Sequence, residues 1–159
     1  MKNSLILLFV SGFIFQANAQ VTFSKKCLSV TESSVKSWSP GNAQAGDKGG
    51  GVIYQIKAIL KKSGSFTFDS LFVDGKSIAI EVVKDSERGY SGSFKKGDSI
   101  TLLSRQNKGV HYLKSSPAVS PIISSKKNFV AFISIRAGGK RYLHPVTEFK
   151  KLSRHDANQ

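Results

Sequence analysis

The sequence predicts an all-β fold, an antiparallel β-sandwich of about seven to nine strands. Three observations predict it. Short runs of β-branched, aromatic and aliphatic residues alternate with clusters of Gly, Pro, Ser and Asp. Two of those breaks are the dipeptides Asp74-Gly75 and Gly138-Gly139, which suit hairpin turns because both central positions need positive φ. Beyond the first nineteen residues, no long segment repeats its apolar positions with the 3.6-residue period of a helix. A small β-barrel is the alternative, since strand counting does not separate the two.

Residues 1–19 read as a cleaved export signal. Lys2 supplies a positive start, Leu5 to Phe15 an apolar core, and Ala17-Asn18-Ala19 the small residues a signal peptidase accepts. The apolar run is shorter than the roughly 20 residues a spanning helix needs. Residues 20–159 are then a single domain with a frayed tail from His155.

Val21 to Lys26 leads in, and Cys27 to Trp38 reads as one irregular strand or two short ones. Ser39-Pro40-Gly41 breaks it, and residues 42–51, rich in glycine and without apolar periodicity, read as a surface loop. Val52 to Leu60 is the cleanest strand: Val52, Tyr54, Ile56, Ala58 and Leu60 share one face, with Ile53 and Ile59 as exceptions. Ser65 to Lys84 forms a hairpin about Asp74-Gly75. In its first arm Phe66 and Phe68 have one parity, Leu71 and Val73 the other, so a bulge is expected at Asp69-Ser70. That switch predicts that the two pairs pack against different layers. Ile78, Ile80 and Val82 point inward along the second arm.

Asp85 to Gly97 reads as a connection with a short strand near Phe94. Ser99 to Ser104 is a strand, Gln106 to Gly109 a turn, and Val110 to Leu113 a short strand. Pro117 and Pro121 make 115–127 an edge or loop. Phe129 to Arg136 has apolar residues on both faces, as a central strand does. Arg141 to Val146 returns from Gly138-Gly139, with Pro145 at an edge or strand end. Thr147 to Arg154 forms one helical turn or a last short strand. The architecture resembles an immunoglobulin-type sandwich only loosely, because that fold's two cysteines around a tryptophan are absent.

Cys27 is the only cysteine among 159 residues, so no internal disulfide is available. An exported domain without disulfides fits a bacterial envelope or secreted protein, and Cys27 reads as a small buried hydrophobe. The formal net charge is +14, and the sequence pI is about 10.0. Basic doublets recur at strand ends: Lys25-Lys26, Lys61-Lys62, Lys95-Lys96, Lys126-Lys127, Lys140-Arg141 and Lys150-Lys151. From these, Lys61, Lys62, Lys95, Lys96, Lys126, Lys127, Lys140 and Arg141 are the candidate anion-binding residues, ringing one or both ends of the sandwich. Lysines at such positions also protect sheet edges. Nucleic acid is disfavoured as a partner: arginines are few, and no aromatic platform interleaves with them. Trp38 and Tyr90, beside breaks in the pattern, are the candidate exposed aromatics.

Specific chemistries find little support. Gly46 and Gly51 have phosphate-loop spacing, but Val52 and Ile53 stand where Lys and Ser or Thr are needed. No G-x-S-x-G elbow is present. Cys27, His111 and His144 are an alternative metal set, yet the chain past residue 19 has no methionine for a blue-copper axial position and no closely spaced ligand pair for structural zinc. Asp74 and Asp98 read as turn residues. No cofactor is expected. The resulting expectation is a non-catalytic binding or structural module of a bacterial envelope, periplasmic, surface-bound or secreted, that meets a protein or an anionic polymer. Alternatives are a small envelope hydrolase built near the glycine loop, and a metal carrier using Cys27 with histidines.

Overall fold

The computed structural model describes residues 21–38, 50–108, 110 and 128–152. Within them the chain is all-β. It runs through β1 (Val21–Phe23), β2 (Leu28–Trp38), β3 (Gly51–Leu60), β4 (Gly64–Ser65) and β5 (Thr67–Val73). Next come β6 (Lys76–Ala79), β7 (Glu81–Lys84), β8 (Glu87–Arg88), β9 (Ser93–Phe94) and β10 (Ser99–Asn107). The last three are β11 (Ala131–Ala137), β12 (Lys140–Val146) and β13 (Lys150–Lys151). Eight of these are four residues or longer, within the expected seven to nine. No helix among the described residues is long and apolar enough to cross a membrane.

Two main sheets form a sandwich-like fold, not a closed barrel. One orders its strands β1-β12-β11-β5-β6, the other β13-β2-β3-β10-β7-β8, and β4 pairs with β9 separately. The pairing is antiparallel except that β1 joins β12 and β13 joins β2 in parallel. Between the sheets lie Leu28, Ile56, Leu60, Ile100 and Leu102 from one side and Leu71, Ile78, Ile133 and Ile135 from the other, all 0–1 % exposed. Burying such a side chain is worth roughly 1.5–3 kcal/mol. A second cluster, Phe72, Phe132 and Leu143, sits on the far face of the first sheet under Val21, Phe23 and Phe129. It accounts for the two apolar faces of β11.

The turns follow their sequence. Asp74 and Gly75 have φ of 49° and 71°, and Gly138 and Gly139 have 55° and 73°, as two-residue primed turns require. Asp85 and Ser86 make a third such turn, with φ of 49° and 69°, joining β7 to β8. Past the Asp74 hairpin the second arm divides: β6 pairs β5 in one sheet, and β7 pairs β10 in the other. Ile80 is the crossing point.

The bulge stands where the parity switch places it. In the β5–β11 pairing, Ser70 faces Ser134 and Phe68 faces Ile135, so Asp69 is the extra residue. The expected consequence is corrected. Phe66, Phe68, Leu71 and Val73 all join the same inter-sheet core. One inserted residue shifts the alternation by one, so two opposite parities in the sequence end on one face. Gln106 also belongs to β10 and not to a turn, because β10 stays paired with β3 as far as Asn107 and Gly51. The export signal, residues 39–49 with most of the glycine loop, the segments 111–113 and 115–127, and the tail from 153 lie outside the described residues.

Two edges are left partly uncovered. Along β12, β1 covers only Arg141 to Leu143. Counting back from the Ala137–Lys140 pair of the hairpin makes Phe132–Pro145 a non-hydrogen-bonded pair. The amide position of residue 145 thus faces the free edge, where proline has no N–H to offer. Along β2, β13 covers only Ser34 and Val35, and a bulge at Thr31 interrupts the stretch before it.

Candidate functional site

The lysine doublets at 25–26, 61–62 and 95–96 are far apart in sequence and are brought together by turns bonded to one another. The Lys61 N–H donates to the Cys27 carbonyl at 2.9 Å, and the Gly97 N–H donates to the Leu60 carbonyl at 2.8 Å. The Leu60 N–H returns a bond to Asp98 at 2.9 Å, and the Lys96 N–H donates to Ser63 Oγ at 2.9 Å. Lys61 Nζ also reaches the Lys25 carbonyl at 3.4 Å. Among the described residues none of these six lysines forms an ion pair. Asp98, the carboxylate in this group of turns, is committed elsewhere. It accepts from Lys84 Nζ at 2.8 Å and from the Lys95 N–H at 2.8 Å, and both bonds hold its carboxyl below its ordinary range. Lys84 lies over the rings of Tyr90 and Phe94, 4.9 and 5.8 Å from their centroids. The result is one end of the sandwich with a surplus of positive charge among the described residues, which concentrates anions.

The segment from Ser24 to Cys27 crosses between the sheets at this end and separates two cavities. Lys25 and Lys61 line one, and Lys26 and Lys62 line the other. The second, about 340 Å³, has Phe23, Phe66 and Tyr142 around Cys27. Burial pushes the Cys27 thiol up, with Lys62 acting in the opposite direction. The first, about 480 Å³, lies between the uncovered edges of β2 and β12 and includes Thr31, Ser33, His144 and Pro145 in its walls.

His144 is 5 % exposed. It is a residue of β12, and its side chain is buried rather than on the surface. Leu143 faces the outer cluster while Tyr142 and Val146 face the inter-sheet core, so alternation turns His144 inward at the open side of the sandwich. The Ser24 N–H is taken by the Leu143 carbonyl at 3.0 Å. The Ser24 backbone beside the His144 ring acts to raise the ring's proton affinity. Burial nevertheless dominates and, with Lys61 and Lys25 nearby, pushes the pKa down to about 4. Nδ1 has no partner among the described residues. A buried polar atom left without a partner in this way costs about 1–3 kcal/mol.

The other candidates are placed differently. Lys140 is exposed at the Gly138-Gly139 turn, and Arg141 lies 3.8 Å from Asp69. Lys126, Lys127 and His111 lie outside the described residues. Tyr90 is half-buried, not an exposed platform: it packs at 5.1 Å on Phe94, and its hydroxyl donates to the Ser93 carbonyl at 2.9 Å. Trp38 is likewise only half-exposed at the end of β2. Among the described residues no three His, Cys, Asp or Glu gather as a metal set. A shallow depression on the outer face of the second sheet joins Lys36, Arg88 and Arg105 around Ile53, Val83 and Leu103. Sequence reasoning missed the roles of Lys25 and His144. The Lys25-Lys26 doublet was visible in the sequence, but its convergence with Lys61 depends on pairing that is not local.

Comparison with family models, with curated proteins and with solved structures finds no match for this chain.

Proposed function

We propose that the protein is an exported, non-catalytic binding module of a bacterial envelope that takes an anionic polymer on its lysine-rich end. One observation carries this reading: three lysine doublets converge, their turns are fixed by backbone hydrogen bonds, and the carboxylate beside them is held by Lys84. Lysines on fixed turns, without ion pairs among the described residues, suit a repeating anion. The charge pattern of residues 1–19 and the net charge of +14 support the same reading.

The test is retention of the full chain on immobilised heparin and on polygalacturonate. Retention should fall steeply between low and physiological salt, because exposed charges are screened over about 8–10 Å there. Replacing Lys61 and Lys62 by Gln, the same number of charges as in the control that follows, should remove much of it. Replacing Lys76 and Lys108 by Gln, toward the opposite end, should change it little. Equal loss in both variants would mean that net charge alone is responsible and would defeat the proposal.

A further inference from the structure

We infer that the cavity between Cys27 and the Gly138-Gly139 hairpin binds an anionic amphiphile. Its alkyl chain enters between the sheets, and Lys26 and Lys62 hold the anionic group at the mouth. The inference goes beyond the anionic-polymer reading and does not rest on it: a polymer meets exposed ammonium groups, and this ligand enters the core.

Small residues open the cavity. Along the first sheet the inward pair Phe68 and Ile135 fills its layer. Beyond that pair the sheet closes with Ala137-Gly138-Gly139, and the chain leaving β3 passes Ser63-Gly64-Ser65. About 340 Å³ is left there, within the range of small-molecule sites. The inner walls are apolar, because Cys27, Phe66 and Ala137 all belong to the inter-sheet core. β1 pairs Thr22 with Tyr142 and Phe23 with Leu143. Phe23 and Leu143 face the outer cluster, so alternation turns Thr22 and Tyr142 toward the cavity. Such walls favour an alkyl chain, whose burial removes apolar surface from water. A sugar would leave its hydroxyls against Phe66 and Ala137, which offer them no hydrogen bond.

The mouth selects the head group. Thr22, Lys26 and Lys62 are exposed there. The Lys25 ammonium is turned away, 5.2 Å from the Phe129 ring beside the outer cluster, while the next residue, Lys26, belongs to the cavity wall. The charge of Lys62 reaches the Cys27 thiol inside. Among the described residues no Asp or Glu lines the cavity. Two ammonium groups without a carboxylate call for an anion, and the Thr22 and Tyr142 hydroxyls can donate to it as well. A cationic head group would be repelled by both lysines.

The experiment is a titration of the ¹⁵N-labelled full chain with octanoate, decanoate, decyl phosphate, decanol and decyltrimethylammonium, each below its micelle-forming concentration. Decanoate should shift the amides of residues 22–27, 62–66 and 137–142. It should bind about tenfold tighter than octanoate, as burial of two further CH₂ groups requires. Decanol and decyltrimethylammonium should bind at least tenfold more weakly than decanoate. Decyl phosphate acting on the same residues also supports the inference, and the tighter of the two anions identifies a fatty acid or a lipid phosphate as the source. The Lys26→Gln/Lys62→Gln variant should bring decanoate down to the affinity of decanol. Ala137→Phe fills the cavity and should abolish binding; if that variant does not fold, the lysine variant and the chain-length series decide. No shifts, shifts confined to Phe72, Phe129 and Phe132, equal affinity for decyltrimethylammonium, or affinity independent of chain length would each overturn the inference.

Discussion

Arg136 holds Asp69 by a two-point fork, Nε to Oδ2 at 2.9 Å and Nη2 to Oδ1 at 2.6 Å. Asp69 is the residue of β5 that has no partner in β11, so its side chain is free of the alternation and turns toward the next strand's arginine. The bulge thus serves two ends. It puts Phe66 and Phe68 on the core face with Leu71 and Val73, and it re-aims a carboxylate. Deleting Asp69 should reverse the face of either Phe66 and Phe68 or Leu71 and Val73. Each large apolar side chain lost from the core costs about 3–5 kcal/mol, so the deletion should abolish the near-ultraviolet circular dichroism of a packed core. Asp69→Ala keeps the register and should remain folded with a lower melting temperature. A folded deletion variant would refute this account of the bulge.

The same element shows how far the sequence can be read. Alternation and the Asp74-Gly75 turn are local, and they locate the hairpin and the bulge from Phe66, Phe68, Leu71 and Val73 alone. What the bulge does to those four residues depends on the partner strand, whose residues opposite the bulge lie more than sixty positions away. The candidate site follows the same rule. Each lysine doublet is plain in the sequence, and the convergence of 25–26, 61–62 and 95–96 is not. It depends on Leu60 bonding both Gly97 and Asp98. His144 is hidden for the same reason: its burial depends on which face of β12 turns toward the other sheet.

Gly51 is required by packing at the end of the β3–β10 ladder. A Cβ there would run into the Gln106 carbonyl oxygen, a backbone atom that cannot swing aside. Gly51→Ala should cost about 1–3 kcal/mol, the range for overpacking. Urea denaturation would show it as a lower midpoint with an unchanged slope. By contrast, a Cβ at Gly75 meets nothing within 4 Å, so any cost of Gly75→Ala comes from its φ of 71° alone. Equal midpoints for Gly51→Ala and the unaltered chain would show that the ladder relaxes around the methyl.

Cys27 should react slowly while the protein is folded. It is 6 % exposed, and burial raises its pKa against the opposing influence of Lys62. Both access and thiolate fraction are therefore reduced. Iodoacetamide at pH 8 should modify the folded chain at least tenfold more slowly than the chain in urea. Equal rates would place the thiol in solvent and contradict the packing around it.

His144 should make stability depend on pH. Its ordinary pKa of 6.5 applies to the unfolded chain, and burial holds it at about 4 in the fold. Between those values the unfolded state binds a proton that the folded state refuses. Stability therefore rises with pH across this window. The contribution is complete above pH 6.5 and is lost as pH falls toward 4, reaching roughly 3 kcal/mol at the bottom. Carboxylates such as Asp98, held low by Lys84, lose their own contribution at still lower pH and do not mimic this step. Urea denaturation of the unaltered chain and of His144→Phe, from pH 7.5 to 4.5, isolates the histidine as the difference between the two curves. That difference should grow as pH falls below 6.5. If it stays constant, His144 is not a buried neutral base in the folded chain.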